Sequence, residues 1–596
     1  MKISDFVIQA FVDLGLDSAF SVTGGAAMHL NDSVGGNPRI SVMYMHNEQS
    51  CAMAAEGYAR IARKPALVVV TAGPGAINAF NGVFGAYTDS IPMIVISGQA
   101  RKNTQRSHFG LHELRQLGDQ EAPILNMVSE ITKKTYEITD EMTGVEIASL
   151  LVDAHSTATS GRPGPVWIEI PVDVQALQIE PVSITVEENQ KLESTSQETK
   201  NLLKELLKRI SISKRPVLLL GSGVQISKTE KQAIALAEKL MIPVLTAWSH
   251  DVISSDHPLF FGRPGTIGTR PGNMILQNSD LLLVLGSRLN IRQISYNYDA
   301  FAPKAFRVHV DIDSEEFKKP FPKMDQVIHM DLRNFFEDLN PFLVLDQSAI
   351  DKTDWISWCQ RVRDKYSVKD SDYSVKRDSI NAYHLIPEII RHAANDVILA
   401  CGDATACIVP FQTAHLRSEM NMFSNSGCAS MGYDLPAALG AAVADRKRPV
   451  ICFAGDGSIM MNLQELQTLS TSGLNIVVVI LDNGGYLSIK QTQTNFFGRF
   501  HGSNSASGVT FPDFVKVASS FGLPADELDP ENWRSQLLRL LTLDGPRVIV
   551  AKLDQEQEFE PRLKSKMVDG IIKTPALEDM YPHLDNTELS QIMGEI

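Results

Sequence analysis

Basic residues are few for a chain of 596: 55 Lys and Arg stand against 70 Asp and Glu, a formal charge of −15. That balance excludes an electrostatic nucleic-acid surface as the organising feature. Apolar runs are short, and none reaches the roughly 18 residues that a membrane-spanning helix needs. The N-terminal MKISDFVIQAFVDLG alternates polar and apolar residues and lacks a signal-peptide core, so a cytoplasmic location is expected. Cysteine is scarce. The six (51, 359, 401, 407, 428 and 452) show neither CxxC pairing nor zinc-ligand spacing, which points to buried reduced thiols. No GxGxxG follows the first strand-like segment, which argues against a nicotinamide-dependent dehydrogenase.

What the chain does have is an ordinary globular composition, 44% hydrophobic and 21% charged, spread over three blocks that alternate strand-like and helix-like segments. The first, 1–175, contains AFSVT, ALVVVTA and MIVISG. The second, 202–345, contains RPVLLLGSG, IPVLTAW, DLLLVLGSR and RVHVDID; the third is 379–555. Polar connectors at 175–201 and 346–378 separate them. The expected fold is therefore α/β, three doubly wound parallel-sheet domains. The tail, 556–596, is polar with Pro and Gly, and reads as an irregular extension or, by its similarity to closing segments in related proteins, as a lid.

The third block carries the chemistry. RPVICFA reads as a buried strand, Ile459 to Ser472 has helical spacing, and IVVVIL is a β-branched strand ending in Asp482-Asn483. A right-handed βαβ crossover brings Gly455-Asp456-Gly457-Ser458 and Asn483 to one sheet edge, where open α/β sheets bind ligands. One carboxylate and one amide oxygen suit Mg²⁺, which completes its shell with phosphate oxygens and water. Gly457 and Ser458 add backbone N–H groups and a hydroxyl at a helix start, where an anion is favoured. A lone GDG is usually a turn.

GDGS followed by a strand ending in DN resembles the fingerprint of thiamine-diphosphate enzymes. Phe453 to Ile489, MGYDLPAALGAA (431–442), HNEQSCAMAAEGYAR (46–60), TAGPGAIN (71–78) and GRPGPVWIEIPVDV (161–174) are similar to the acetolactate synthase branch of that family, in the family's order. The resemblance implies a pyrimidine-binding first domain, a central domain and a diphosphate-binding third domain. It implies Mg²⁺ on Asp456, Asn483 and the backbone of Gly485. It assigns Glu48 as the carboxylate that shares a proton with the cofactor's aminopyrimidine. Alone, such a Glu in a helix's first turn is an ordinary surface residue; Glu56, two turns on, is the competing carboxylate and is assigned a structural role.

By the same resemblance Met431 wedges the cofactor into its bent form, with its N–H and the Ala429 carbonyl on the pyrimidine; relatives commonly have Gly at 429. Gly402-Asp403-Ala404-Thr405 matches a phosphate loop but lacks the Gln-His pair common in acetolactate synthases. Gly24 and Gly25 match a turn that lets backbone approach the reacting carbon, and Gln99 matches an active-site amide. Gly221, Gly223, the loop 262–266, Arg288, Arg292 and Asp311 resemble FAD-binding positions, with Asn290 where an Asp is expected. Thr492 stands at the position of the Trp that favours a larger acceptor ketoacid, and Asp119 at that of an apolar aromatic residue.

The implied activity is a thiamine-diphosphate- and Mg²⁺-dependent carboligase that decarboxylates a 2-oxo acid, expected to be pyruvate, and transfers the activated aldehyde to a carbonyl acceptor more polar than a branched-chain precursor. Plain decarboxylation or C–C bond hydrolysis on the same cofactor is the alternative. A catalytically silent binding protein is expected to have lost Glu48, Asp456 or Asn483, and all three are present. The small-molecule donor and acceptor are the expected partners, together with a second copy of the chain in a homodimer or homotetramer.

Overall fold

A computed structural model describes residues 1–184, 195–345 and 350–595. Parts of both expected connectors, 175–201 and 346–378, lie outside the described residues. The β-branched runs build three sheets whose ladders are parallel, with helices supplying the crossovers. The first sheet contains β1 (Ser18–Ser21), β2 (Ser41–Tyr44), β3 (Leu67–Val70), β4 (Met93–Gln99), β5 (Lys134–Glu137) and β6 (Pro165–Pro171), in the order β2-β1-β3-β4-β6-β5. The second contains β7 (Pro216–Leu220), β8 (Val244–Thr246), β9 (Leu281–Leu285), β10 (Phe306–Asp311) and β11 (Gln326–His329), in the order β11-β10-β9-β7-β8. In the third, β12 (Ile398–Cys401), β13 (Asn421–Ser424), β14 (Val450–Gly455), β15 (Ile476–Asp482), β16 (Ala525–Glu527) and β17 (Arg547–Lys552) run in the order β13-β12-β14-β15-β17-β16.

The chain divides into two compact units, the first being Met1–Gln190, Asp396–Ala406 and Ser424–Leu553. Within it the first and third sheets are joined by two helices, α1 (Glu48–Ala62) and α2 (Asp434–Ala444). Small residues let these helices close on each other. A Cβ at Gly57 would strike the Ala437 carbonyl, and one at Gly440 the Ala54 carbonyl. Into this dry contact the fold places a charge network: Arg60 pairs with Glu56 at 2.5 Å and Asp89 at 2.7 Å, and the Tyr433 hydroxyl donates to Glu56. Burial pushes the Glu56 carboxyl up, opposed by Arg60.

The second unit, Lys191–Asn395, Cys407–Phe423 and Asp554–Ile596, holds the second sheet and the tail. The tail is built rather than irregular. It forms the hairpin β18 (Lys566–Val568) and β19 (Ile571–Lys573), followed by helix α3 (Asn586–Gly594). Arg270 donates to the carbonyls of Met580 and Pro582 (3.2 and 2.8 Å), the Gln412 amide to Pro561 O (2.6 Å), and Leu563 N to Thr266 O (2.7 Å). Among the described residues no helix is long and apolar enough to cross a membrane.

Candidate functional site

Strand register sets the first half of the site. Val450 to Gly455 on β14 pair residue by residue with Ile476 to Leu481 on β15, so Asp456 and Asp482-Asn483 leave the sheet at the same edge. The helix expected from Ile459 to Ser472 is broken: a single turn at Asp456–Ile459, a 3₁₀ turn at Met460–Asn462, then a helix over Glu465–Ser472. Gly457 has no room for a side chain, since a Cβ would strike the Tyr486 ring. Asp456 accepts Gly457 N on Oδ1 (2.6 Å) and Gly485 N on Oδ2 (3.0 Å). Burial, then the nearby Asp482, pushes its carboxyl up to about 7.

The Asn483 amide lies against the Gly485 carbonyl (2.5 Å) and Asp456 Oδ2 (3.3 Å). With its nitrogen turned there, it donates to both. With its oxygen there, three oxygens from Asp456, Asn483 and Gly485 converge without a hydrogen between them, and such a set requires a cation. This donor set is all oxygen, as Mg²⁺ prefers. Asn483 Nδ2 then reaches Thr405 Oγ1 at 3.4 Å.

Around this centre the loops are cross-linked. Ser458 Oγ accepts Gly432 N at 2.8 Å and donates to buried Asp434, so its hydroxyl serves the fold rather than standing free for a phosphate. Asp434, which burial pushes up to about 6, lies under the phosphate-loop candidate: a Cβ on Gly402 would come within 2.6 Å of its Oδ2. Thr405 is buried, and Asp403 and Met431 are partly exposed. Ala404 and Ala429 both adopt left-handed backbone, φ 50° and 54°, which explains why glycine suits position 429. A Cβ on Gly455 would make only an ordinary contact with Ser458, at 3.9 Å, whereas one on Gly485 would strike the Ser503 carbonyl.

The second half lies at the C-terminal edge of the first sheet. Asn47 caps α1 by accepting Gln49 N at 2.8 Å, which fixes Glu48 as the first helical residue. Glu48 is 9% exposed, its Oε2 accepts Asn78 Nδ2 at 3.0 Å, and its Oε1 faces Gly75, where a Cβ would sit 2.9 Å away. Gly24 packs on Thr71, with 2.5 Å left for a Cβ, while Gly25 opens onto free space. Gln99 is 3% exposed. Its Nε2 donates to Ala122 O (2.8 Å) and Glu169 (3.0 Å), and its Oε1 accepts Ala100 N (2.9 Å). The amide therefore braces the 100–122 loop from inside. Burial, then Glu137, pushes Glu169 up to about 8. Thr492 and Asp119 are both exposed.

In the second unit the expected second-cofactor residues gather at the C-terminal ends of β7, β9 and β10. A Cβ on Gly221 would strike the Gly286 carbonyl, and one on Gly223 would come within 2.7 Å of the Gly286 Cα, so both glycines are needed for packing between strand ends. Thr266 N donates to Arg292 O (2.8 Å), tying the 262–266 loop to the arginine segment. Arg292 is exposed, Arg288 partly so, and buried Asp311 accepts Asp313 N at 2.9 Å. Two cations and a carboxylate at this edge fit a dinucleotide in chemistry.

Sequence reasoning did not single out Asn78, Glu169, Asp434, Glu465 or Tyr486. Asn78 and Asp434 lay inside the quoted TAGPGAIN and MGYDLPAALGAA segments, four residues after Pro74 and directly after Tyr433.

With this geometry in hand, comparison with known proteins is decisive. Residues 1–132, 203–339 and 397–551 match the N-terminal TPP binding, central, and C-terminal TPP binding domains of thiamine pyrophosphate enzymes. The chain belongs to that family and is an enzyme of its thiamine-diphosphate-dependent class. Within the class it is acetolactate synthase-like. It is 30% identical over 561 residues to the acetolactate synthase large subunit of Lactococcus lactis, covering 94% of both chains. The large subunits of acetolactate synthase isozymes 1 and 2 of Escherichia coli are each 30% identical, over 94% of this chain and 95% and 97% of theirs.

Proposed function

We propose that this enzyme decarboxylates pyruvate and ligates the resulting two-carbon unit to a polar carbonyl acceptor. Thiamine-diphosphate-dependent decarboxylation with carboligation is the reaction class of its family, transferase or lyase by product. The observation that carries the reading is the convergence of Asp456, Asn483 and the Gly485 backbone at the edge of the third sheet. These three would hold Mg²⁺ and, through it, the diphosphate, with the backbone of Gly455, Gly457 and Ser458 and the loop Gly402-Asp403-Ala404-Thr405 beside it. Bound thiamine diphosphate supplies the nucleophilic carbon and the electron sink. Glu48 would hold a proton against the pyrimidine, while Met431 and the Ala429 carbonyl would orient that ring. Gly24 and Gly25 keep side chains away from the reacting carbon. Gln99 fixes the loop bounding the site.

Exposed Thr492 and Asp119 support an acceptor other than 2-oxobutyrate. The central-domain set Gly221, Gly223, Arg288, Arg292 and Asp311 supports a structural FAD. Exposed Ile77, Phe84, Tyr87, Met460 and Met461 leave apolar surface on the first unit, which supports a homodimer or homotetramer.

Incubation with pyruvate, Mg²⁺ and thiamine diphosphate, with and without carbonyl acceptors, tests the proposal. Acetolactate or a mixed ligation product is expected. Free acetaldehyde alone, unaltered by any acceptor, would favour the plain decarboxylase instead. Absorbance of the heat-released supernatant decides FAD, and sedimentation decides the oligomer.

A further inference from the structure

Glu48 is held at one of its carboxylate oxygens and left open at the other. Asn78 sits at the end of the short helix Pro74–Asn78, which starts directly after the TAG turn that closes β3. From there Nδ2 reaches Oε2 at 3.0 Å. The other oxygen, Oε1, meets no donor among the described residues and faces Gly75, where a Cβ would come within 2.9 Å of it. Gly75 in turn is crowded by Thr71 Cγ2, 2.6 Å from where a Cβ would be. The carboxylate is therefore oriented by one amide, with its second oxygen left clear by one glycine.

We propose that Asn78 is the positioning residue of Glu48, holding Oε2 so that Oε1 is the atom that shares the proton with the bound pyrimidine. This rests on the role given to Glu48 above. The amide N–H donates to Oε2, which leaves Oε1 as the one carboxyl oxygen, in a fixed direction, free to hold the proton between Glu48 and the ring nitrogen. Other titratable groups near it are few. Cys51 stands one turn on in α1, His46 precedes the helix, and Glu465 accepts His46 N at 3.1 Å from the third block. None of these replaces the Asn78 contact.

The test compares Asn78→Ala, Asn78→Asp and Glu48→Gln by two readouts. The first is C2-hydrogen exchange of bound thiamine diphosphate in D₂O with Mg²⁺. The second is proton uptake when the apoprotein binds the cofactor, measured calorimetrically in buffers of different ionisation enthalpy. Asn78→Ala should slow exchange by about 10–10²-fold, the effect of a mispositioned catalytic group, while cofactor affinity changes little. Asn78→Asp keeps the size of Asn but sets a second carboxylate against Oε2. The pair then retains a proton in the free protein, so proton uptake on binding falls and the exchange profile moves to higher pH by about one unit or more. Exchange within twofold of the parent in Asn78→Ala, with an unmoved pH profile in Asn78→Asp, would overturn the proposal. If Asn78→Ala does not fold, the near-isosteric Asp variant decides alone. Slow exchange in Glu48→Gln with normal Asn78 variants removes only this inference; normal exchange in Glu48→Gln removes the role of Glu48 itself.

Discussion

Gly485 N donates to Asp456 Oδ2 at 3.0 Å, joining the two ends of one βαβ crossover. The bond exists because β14 and β15 are in strict parallel register up to Gly455↔Leu481, which delivers both chain exits to one edge. A cation placed among Asp456, Asn483 and Gly485 would thus be gripped by backbone as well as side chain, from two segments whose spacing the sheet fixes.

The joint between the first and third sheets should be sensitive to charge. Glu56 and Tyr433 are buried, and Arg60 and Asp89 partly so, in one network. Glu56→Gln leaves Arg60 with one carboxylate in a dry contact, and breaking such a pair costs about 3–5 kcal/mol. The measurement is denaturant unfolding. A change below about 1 kcal/mol would mean that water reaches Arg60, and the network would then be only a surface-type pair.

Ala429 is a non-glycine residue at φ 54°. Its replacement by Gly relieves left-handed strain of about 1 kcal/mol while leaving the carbonyl in place. Ala429→Gly should therefore raise the melting temperature slightly and leave cofactor affinity unchanged. Lower stability would show that the Ala429 methyl packs in a way that outweighs the strain.

Much of this was readable in the chain. Short β-branched runs such as IVVVIL leave little choice but buried parallel strands, and a turn after each one falls on the ligand-binding edge, so Asp456 and Asn483 followed from spacing. Glu48 followed only from the motif around it, because a first-turn glutamate alone carries no signal. What spacing cannot show is where a side chain spends its hydrogen bonds. Gln99 matches an active-site amide by resemblance, and three internal partners occupy it. The Ser458 hydroxyl, expected near an anion, is used by Gly432 and Asp434. The tail looked irregular because its ordering comes from distant partners, Arg270, Gln412 and Thr266. Each depends on contacts between segments remote in sequence, which no local pattern encodes.

Glu169 gives the fold a pH signature. Its carboxyl is held at about 8 against an ordinary 4.5. The folded state therefore keeps a proton that the unfolded chain releases, and stability falls as pH rises from about 4.5 to 8. At about 1.4 kcal/mol per pKa unit the group accounts for at most about 5 kcal/mol across that window. Glu169→Gln mimics the neutral form. It should lose part of the decline and gain stability relative to the parent at pH 8 compared with pH 5. Parallel curves for the two proteins would show that Glu169 is already ionised at neutral pH.

Binding and activation should separate between Asp456 and Glu48. Asp456→Ala removes the one charged side chain of the proposed cation set, leaving an amide and a carbonyl that cannot offset the desolvation of Mg²⁺. Cofactor affinity should collapse and turnover with it, and raising Mg²⁺ should recover little. Glu48→Gln keeps the size of the side chain and a group able to bond Asn78 and the pyrimidine, but holds no exchangeable carboxyl proton. Cofactor should still bind, more weakly, while turnover at saturating cofactor falls by about 10²–10⁴-fold, the usual contribution of a general acid–base group. Equilibrium binding of thiamine diphosphate at several Mg²⁺ concentrations, run beside turnover, distinguishes the two. If Asp456→Ala binds the cofactor as the parent does, the cation lies elsewhere and the Asn483 amide nitrogen is what faces Gly485 O and Asp456 Oδ2.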